Sequence, residues 1–243
     1  MYSCDVPQSP PTALEMLADC PYGFSFVDLG FTSGDLADLG QIQIGTNKDL
    51  NEYGNLQDLR GKIADFLAAL GPNEHSLVQR VAYKIDRITQ EIVATSGREA
   101  AWVCLRAAIP NHKYDIPRWH MDGHYFTQRT ELQYKFILSL IGPSTLFYPI
   151  SNQFTELRRI IWIHMANRLF TDQLCERSRV MQPQTCIGAY FIAGDPNRSA
   201  LHSEPPISEN RLVFSIVPCR RDQIALLKQK ADQFYRNKSS VND

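Results

Sequence analysis

The chain has 243 residues, 44% of them apolar and 21% charged, with a formal net charge of −1. That length buries a substantial core, and the composition excludes a disordered or low-complexity chain. Near-neutral charge offers no basic field to nucleic acid or an anionic membrane, and no apolar run approaches the roughly 20 residues of a membrane helix.

Residues 1–12 carry Pro7, Pro10 and Pro11 and read as a loose arm. Thr12 to Leu17 starts a short helix, with Thr12 as cap and Glu15 at the capping-box position. Phe24 to Leu29 alternates as a strand does. The glycine-bearing stretch from Asp28 to Gly54 has no clean period and reads as a binding loop or a long surface excursion. Leu59 to Leu70 has helical spacing and stops at Gly71-Pro72. His75 to Thr95 is the clearest helix. Leu77, Val78, Val81, Ile85, Ile88, Ile92 and Val93 fall at three- and four-residue steps and form one apolar stripe.

After Gly97 the period changes. Ala100–Ile109 is an expected strand, and Pro110–Pro117 a loop. Gln133–Ile141, Ser144–Ile150, Thr185–Ala193 and Arg211–Val217 are further strands, and Gly142-Pro143 and Gly194-Asp195-Pro196-Asn197 supply turns. Phe154–Phe170 returns to helical spacing as an insertion. Asp222–Tyr235 is a charged final helix. Helices first and short strands later predict an α+β fold whose later half is a sandwich or jelly roll.

The chemistry concentrates in Arg118-Trp119-His120-Met121-Asp122-Gly123-His124-Tyr125-Phe126, a stretch rich in aromatics. In extended chain, residues i and i+2 share a side, so His120 and Asp122 are placed to hold one metal ion. His202 lies far downstream, just before Pro205-Pro206. Two imidazoles and one carboxylate on one face of a metal leave the other positions open, a donor set that suits Fe(II). A bidentate co-substrate such as 2-oxoglutarate then needs a cation for its far carboxylate. Arg211, nine residues after His202, is the candidate. Ser215 shares its face of the expected strand.

These residues resemble the pattern of the 2-oxoglutarate/Fe(II)-dependent oxygenases: H-x-D, a distal His, then Arg about ten residues on. The chain more closely resembles an uncharacterised bacterial family with H-x-D, G-P-G-T, a G-D turn, H-x-x-P-P and an arginine strand. The matching residues are His120 and Asp122, Gly142-Pro143-Ser144-Thr145, Gly194-Asp195, His202-Ser203-Glu204-Pro205-Pro206 and Arg211. Ser144 departs where that family prefers glycine. The resemblance covers roughly residues 98–219.

It implies a double-stranded β-helix, jelly-roll or cupin-like, with N-terminal supporting helices. Residues 1–97 would be an arm and helices of the same domain, 98–219 the catalytic core with an insertion at 154–170, and 220–243 a C-terminal helix. It also implies an Fe(II)- and 2-oxoglutarate-dependent dioxygenase with His120, Asp122 and His202 as metal ligands and catalytic residues. Arg211 and Ser215 would bind the co-substrate, with Lys135 as the second possible anchor, because some oxygenases of this superfamily place a lysine there. Tyr148 lines the pocket or packs. A small molecule or a protein is the expected substrate.

Other readings stay open at this level. A catalytically silent jelly-roll module would bind a ligand or partner. A zinc hydrolase would need a general base, for which Glu204 is the candidate. His124 reads as a residue beside the metal site rather than a ligand, and Tyr134 as core. His75, His112 and His164 read as surface or packing residues, and Trp162 as core or a partner contact. The six cysteines, Cys4, Cys20, Cys104, Cys175, Cys186 and Cys219, have no C-x-x-C spacing. With no signal-peptide pattern, reduced thiols in a cytoplasmic protein are expected.

Overall fold

The apolar stripe between Leu77 and Val93 folds as expected into α4 (His75–Thr95), with the stripe buried. The computed structural model describes residues 6–54, 56–110, 116–126, 131–151, 153–165 and 167–229. Before α4 come α1 (Pro10–Asp19), β1 (Phe24–Asp28), α2 (Ser33–Gln41), β2 (Lys48–Gly54) and α3 (Leu59–Ala68). After it come β3 (Ala100–Ala108), β4 (Tyr134–Ile141), β5 (Leu146–Tyr148), α5 (Thr155–His164), α6 (Arg168–Leu174), β6 (Ile187–Ile192), β7 (Leu201–Ser203) and β8 (Arg211–Cys219).

Among the described residues, six strands form an antiparallel main sheet in the order β1-β6-β4-β8-β3-β2. A smaller sheet pairs β5 with β7. Single backbone pairings widen it on both sides, Phe147 with Met181 and His120 with His202. From β3 onward the chain passes repeatedly between the two sheets. The four central strands β6-β4-β8-β3 face the row Met181, β5, β7, His120. This eight-position wrapping is the double-stranded β-helix, or jelly roll. The aromatic rings of Phe147 and Phe191, one from each sheet, meet at 6.0 Å between them.

The period-2 rule divides the main sheet. Phe136 and Leu138, Val103 and Leu105, Phe214 and Ile216, and Tyr190 and Ile192 turn to one face, where α1 to α4 cover them in a single apolar cluster. Each such fully buried side chain contributes roughly 1.5–3 kcal/mol. Their neighbours in sequence, including Lys135, Ile137, Cys104, Arg106, Arg211, Val213 and Ser215, turn to the opposite face and line a cavity between the sheets. A slip of one residue would exchange the two sets.

Several elements differ from the sequence reading. The arm is shorter than expected, because α1 begins at Pro10. Proline is tolerated in the first helical turn, where its missing N–H would be unpaired anyway. The stretch 28–54, without a readable period, holds α2 and β2. Thr32 caps α2 through a reciprocal box with Asp35, a signal masked by Gly34 and Gly40. β2 is an edge strand, half-buried and without alternation. The insertion splits into α5 and α6, because the Asn167 side chain accepts from Phe170 N at 3.2 Å and starts a new helix.

The loop expected at 110–117 lies partly outside the described residues, and His112 with it. So does the expected C-terminal helix beyond residue 229, after a short turn at Arg221–Gln223 and a helical start. None of the described helices is long and apolar enough to cross a membrane.

Candidate active site

Backbone pairing of the segment at His120 with β7 brings two residues 82 positions apart in sequence into one row. His120 N donates to His202 O at 2.9 Å and His202 N to His120 O at 3.0 Å. The two rings lie 4.3 Å apart between centroids. Asp122 Oδ1 sits 3.6 Å from His120 Nε2 and 3.7 Å from His202 Nε2. One donor atom from each residue lies within 4.8 Å of the others. These are distances at which one ion could draw three donors to about 2 Å.

Both imidazoles are oriented for that work. His120 Nδ1 lies 2.7 Å from Arg118 O, and His202 Nδ1 lies 3.2 Å from Ala200 O. A carbonyl only accepts, so the proton sits on Nδ1 and the Nε2 lone pair faces Asp122. Burial, and then His120, push His202 down to about 3, so it is neutral across the physiological range. The carboxylate is fixed by its other oxygen. Tyr125 Oη donates to Asp122 Oδ2 at 2.5 Å, and Lys135 Nζ lies 3.4 Å from the same atom. Burial alone would raise the Asp122 carboxyl, but Lys135, His202 and His120 outweigh it and hold it below the usual range. One face of Asp122 is thus anchored and the other presented to the histidines.

At the other end of the cavity stands Arg211, 3% exposed. Gly142, at φ +74°, lets β4 turn towards the smaller sheet. A Cβ there would lie 2.3 Å from Asn210 O. The turn delivers Pro143 O, which accepts from Arg211 Nε at 2.8 Å, and Thr145 Oγ1, which accepts from Nη2 at 3.3 Å. The Gly142-Pro143-Ser144-Thr145 motif is therefore the cradle of Arg211. Burial, then Arg106 and Arg118, push Arg211 down to about 9, still cationic at neutral pH. An anion reaching this end would meet a pre-ordered fork of donors.

The structure brings His120, Asp122, His202, Arg211, Ser215 and Lys135 into one cavity and leaves Tyr148 out. Tyr148 turns from the cavity to the second apolar cluster, where its ring meets Trp119 at 6.0 Å. Phe147, one residue earlier, takes the inward position instead. His124 lines the cavity without joining the trio. A Cβ on Gly194 would come within 2.4 Å of its Nδ1, so Gly194 keeps this side open. Glu204 is engaged by Arg106, at 3.1 Å, and by Arg118. It serves as an ion-pair link rather than a free base.

The sequence reading gave no role to Tyr125 or Thr145, and it missed the chain Arg118–Glu204–Arg106–Asp49, which ties the smaller sheet to β3 and β2. The available signal was a charge, Arg106, inside the apolar expected strand Ala100–Ile109; its place opposite Val213, on the Arg211 face, came only with the register. Trp162 packs in the second cluster and His164 against Phe170, as expected.

No family model and no curated protein sequence matches the chain. Solved structures share its course at low identity. A prolyl-4-hydroxylase of Pseudomonas putida is 13% identical with a TM-score of 0.41, over 88% of this chain and 100% of that one. A dioxygenase for auxin oxidation from rice is 9% identical with a TM-score of 0.45, over 88% of this chain and 79% of that one. An oxidoreductase of the 2OG-Fe(II) oxygenase family from Burkholderia pseudomallei is 8% identical with a TM-score of 0.41, over 89% and 92%. These are distant likenesses, and the functional reading rests on the geometry of the site itself.

Proposed function

We propose that this protein is an Fe(II)- and 2-oxoglutarate-dependent oxygenase that oxidises a small-molecule or protein substrate. The observation that carries the reading is the meeting of two oriented Nε2 atoms and Asp122 Oδ1 at one end of a cavity whose other end holds the buried Arg211. The donor set, two imidazole nitrogens and one carboxylate oxygen on one face, fits Fe(II) with positions left open. His120, His202 and Asp122 would hold the ion. When bound, Fe(II) with 2-oxoglutarate supplies the activation of O2 and the oxidation of a substrate.

The chain's own groups do the rest. Arg118 O and Ala200 O keep each imidazole in the tautomer that presents Nε2. Tyr125 and Lys135 keep Asp122 Oδ2 occupied, so Oδ1 faces the ion. Arg211 compensates the far carboxylate of 2-oxoglutarate, which is costly to bury unpaired. Val213 and Ile137 wall the space between and exclude water, and Ser215 adds a hydroxyl there. Residues 98–219 form the catalytic core in this reading. The free thiols of Cys104, Cys175, Cys186 and Cys219 support a cytoplasmic location. The ion pairs of Glu204 speak against a zinc hydrolase.

The test is calorimetric titration of 2-oxoglutarate into anaerobic Fe(II) protein. Arg211→Ala should weaken binding about 30-fold with metal content intact, since truncating one partner of a buried charge pair costs about 2–5 kcal/mol. Asp122→Ala should lose tight metal binding altogether. A wild-type protein that binds Fe(II) but not 2-oxoglutarate would leave the silent-module reading in its place.

A further inference from the structure

Two cations reach the cavity from opposite ends of its floor, and one co-substrate can use only one of them. The register fixes their separation. Ile137 on β4 sits beside Ser215 on β8. The strands are antiparallel, so Lys135 lies level with Val217, six residues along β8 from Arg211. At strand rise the two backbone positions are about 20 Å apart. The metal ligands lie at the Lys135 end, where its Nζ is 3.4 Å from Asp122 Oδ2. Arg211, at the far end, is buried and ordered by Pro143 O and Thr145.

The charges at the Arg211 end close among themselves. Arg118, Glu204, Arg106 and Asp49 alternate in sign along one chain of ion pairs. Arg211 is matched by the far carboxylate of 2-oxoglutarate. At the other end, the single charge of Asp122 and the near carboxylate of 2-oxoglutarate together match the dication. Among the described residues that line the cavity, the carboxylates are Asp122 and Glu204; Glu204 is taken up by its arginines and Asp122 by the dication, so the positive charge of Lys135, 3.4 Å from Asp122 Oδ2, is the one left over. Its surroundings are aromatic. Trp102 and Tyr125 meet edge-on at 6.2 Å, Tyr53 stacks on Trp102 at 5.7 Å, and Lys135 Nζ lies 5.8 Å from the Phe191 ring centroid. The indole N–H of Trp102 is occupied by Asn51 Oδ1 at 3.0 Å, which fixes the ring.

We infer that Lys135, with Trp102 and Tyr125 beside it, binds the primary substrate, and that this substrate carries a carboxylate on an apolar body. The inference rests on the oxygenase reading and adds the substrate class to it. A free acid and an acidic group on a larger apolar molecule share this chemistry. Lys135 supplies the charge-assisted contact and the aromatic rings cover the body.

The probe is 3-phenylpropionate, compared with its uncharged amide and with the carboxylate of an N-acetylated phenylalanyl-glutamyl dipeptide amide. Each is titrated calorimetrically into anaerobic Fe(II) protein saturated with 2-oxoglutarate. The free acid should bind about tenfold tighter than the amide, the size expected for a hydrogen bond to a charged partner. At Fe(II) concentrations that keep the site full, because the substitution also removes one contact of Asp122, Lys135→Met should remove that preference and weaken 2-oxoglutarate less than Arg211→Ala does, and Lys135→Arg should retain the preference. A dipeptide that binds more tightly than the free acid assigns the carboxylate to a larger molecule.

Equal affinity for acid and amide, no measurable binding of any carboxylate, or simple competition between the acid and 2-oxoglutarate would each overturn the inference. Loss of 2-oxoglutarate binding in Lys135→Met, with Arg211→Ala unaffected, would make Lys135 the co-substrate anchor and leave the oxygenase reading standing. Failure of the wild type to bind 2-oxoglutarate would remove that reading, and this inference with it.

Discussion

The two faces of the main sheet are built by the same strands, one residue out of step, and they solve opposite problems. On β4, Phe136 and Leu138 enter the apolar cluster under the helices, while Lys135 and Ile137 line the cavity. On β8, Leu212, Phe214 and Ile216 go under the helices, while Arg211, Val213 and Ser215 go into the cavity. The helix side is continuous hydrocarbon and needs no partner beyond close packing. The cavity side carries buried or half-buried charge held by fixed polar partners, Asp122 by Tyr125 and Lys135 and Arg211 by Pro143 O and Thr145. Stability and chemistry are thus separated by side-chain parity, not by distance along the chain.

That separation can be broken by substitution on one face at a time. Phe214→Ala, on the helix side, should have the largest effect. Removing a fully buried phenyl ring costs about 3–5 kcal/mol, read as a lower urea midpoint, and the surviving folded fraction should still bind Fe(II). A stability loss below about 1 kcal/mol would mean that the two faces are not energetically distinct in this way.

Tyr125→Phe should be smaller and fall wholly on the other side. It frees Asp122 Oδ2 from its shortest contact without changing the helix face. Loss of a partner that orients a metal ligand typically costs 10–100-fold in metal affinity; about tenfold is expected here because Lys135 remains. Fe(II) competition against a chromophoric chelator measures it, and the urea midpoint of the metal-free protein should not move. An unchanged Fe(II) affinity would show that the phenol plays no part in aiming the carboxylate.

Glu204→Gln should have the smallest effect overall. Its partner Arg106 is 34% exposed in its side chain and Glu204 26%, so solvent screens the pairs and roughly 0–1 kcal/mol is expected. The chain of ion pairs spans the two sheets at the Arg211 end. Its interruption should therefore be visible first in 2-oxoglutarate affinity, which falls if Arg118 and Arg106 are released to disturb Arg211. A stability loss above about 2 kcal/mol would place this chain among the structural supports instead.

What the sequence determined by itself was what depends on local period and order. The stripe of α4, the alternation in β3, β4, β6 and β8, and the pair His120 and Asp122 two residues apart are all local, and each forms where it was expected. The ordered set from His120 to Arg211 carried the jelly roll, because strands of that fold must alternate between sheets to bring His202 back. What remained hidden was decided by register between distant segments. β2 lacks a readable period because an edge strand with half-buried residues need not alternate. Tyr148 could not be told from Phe147, because a three-residue strand leaves parity undetermined until its partner Leu201 is known. Tyr125 gains its role only when a non-repetitive loop folds back on Asp122. Lys135 and Arg211 are both plain cations on strands in the sequence. Only the pairing of β4 with β8 sets them at opposite ends of one floor, and so gives them different partners.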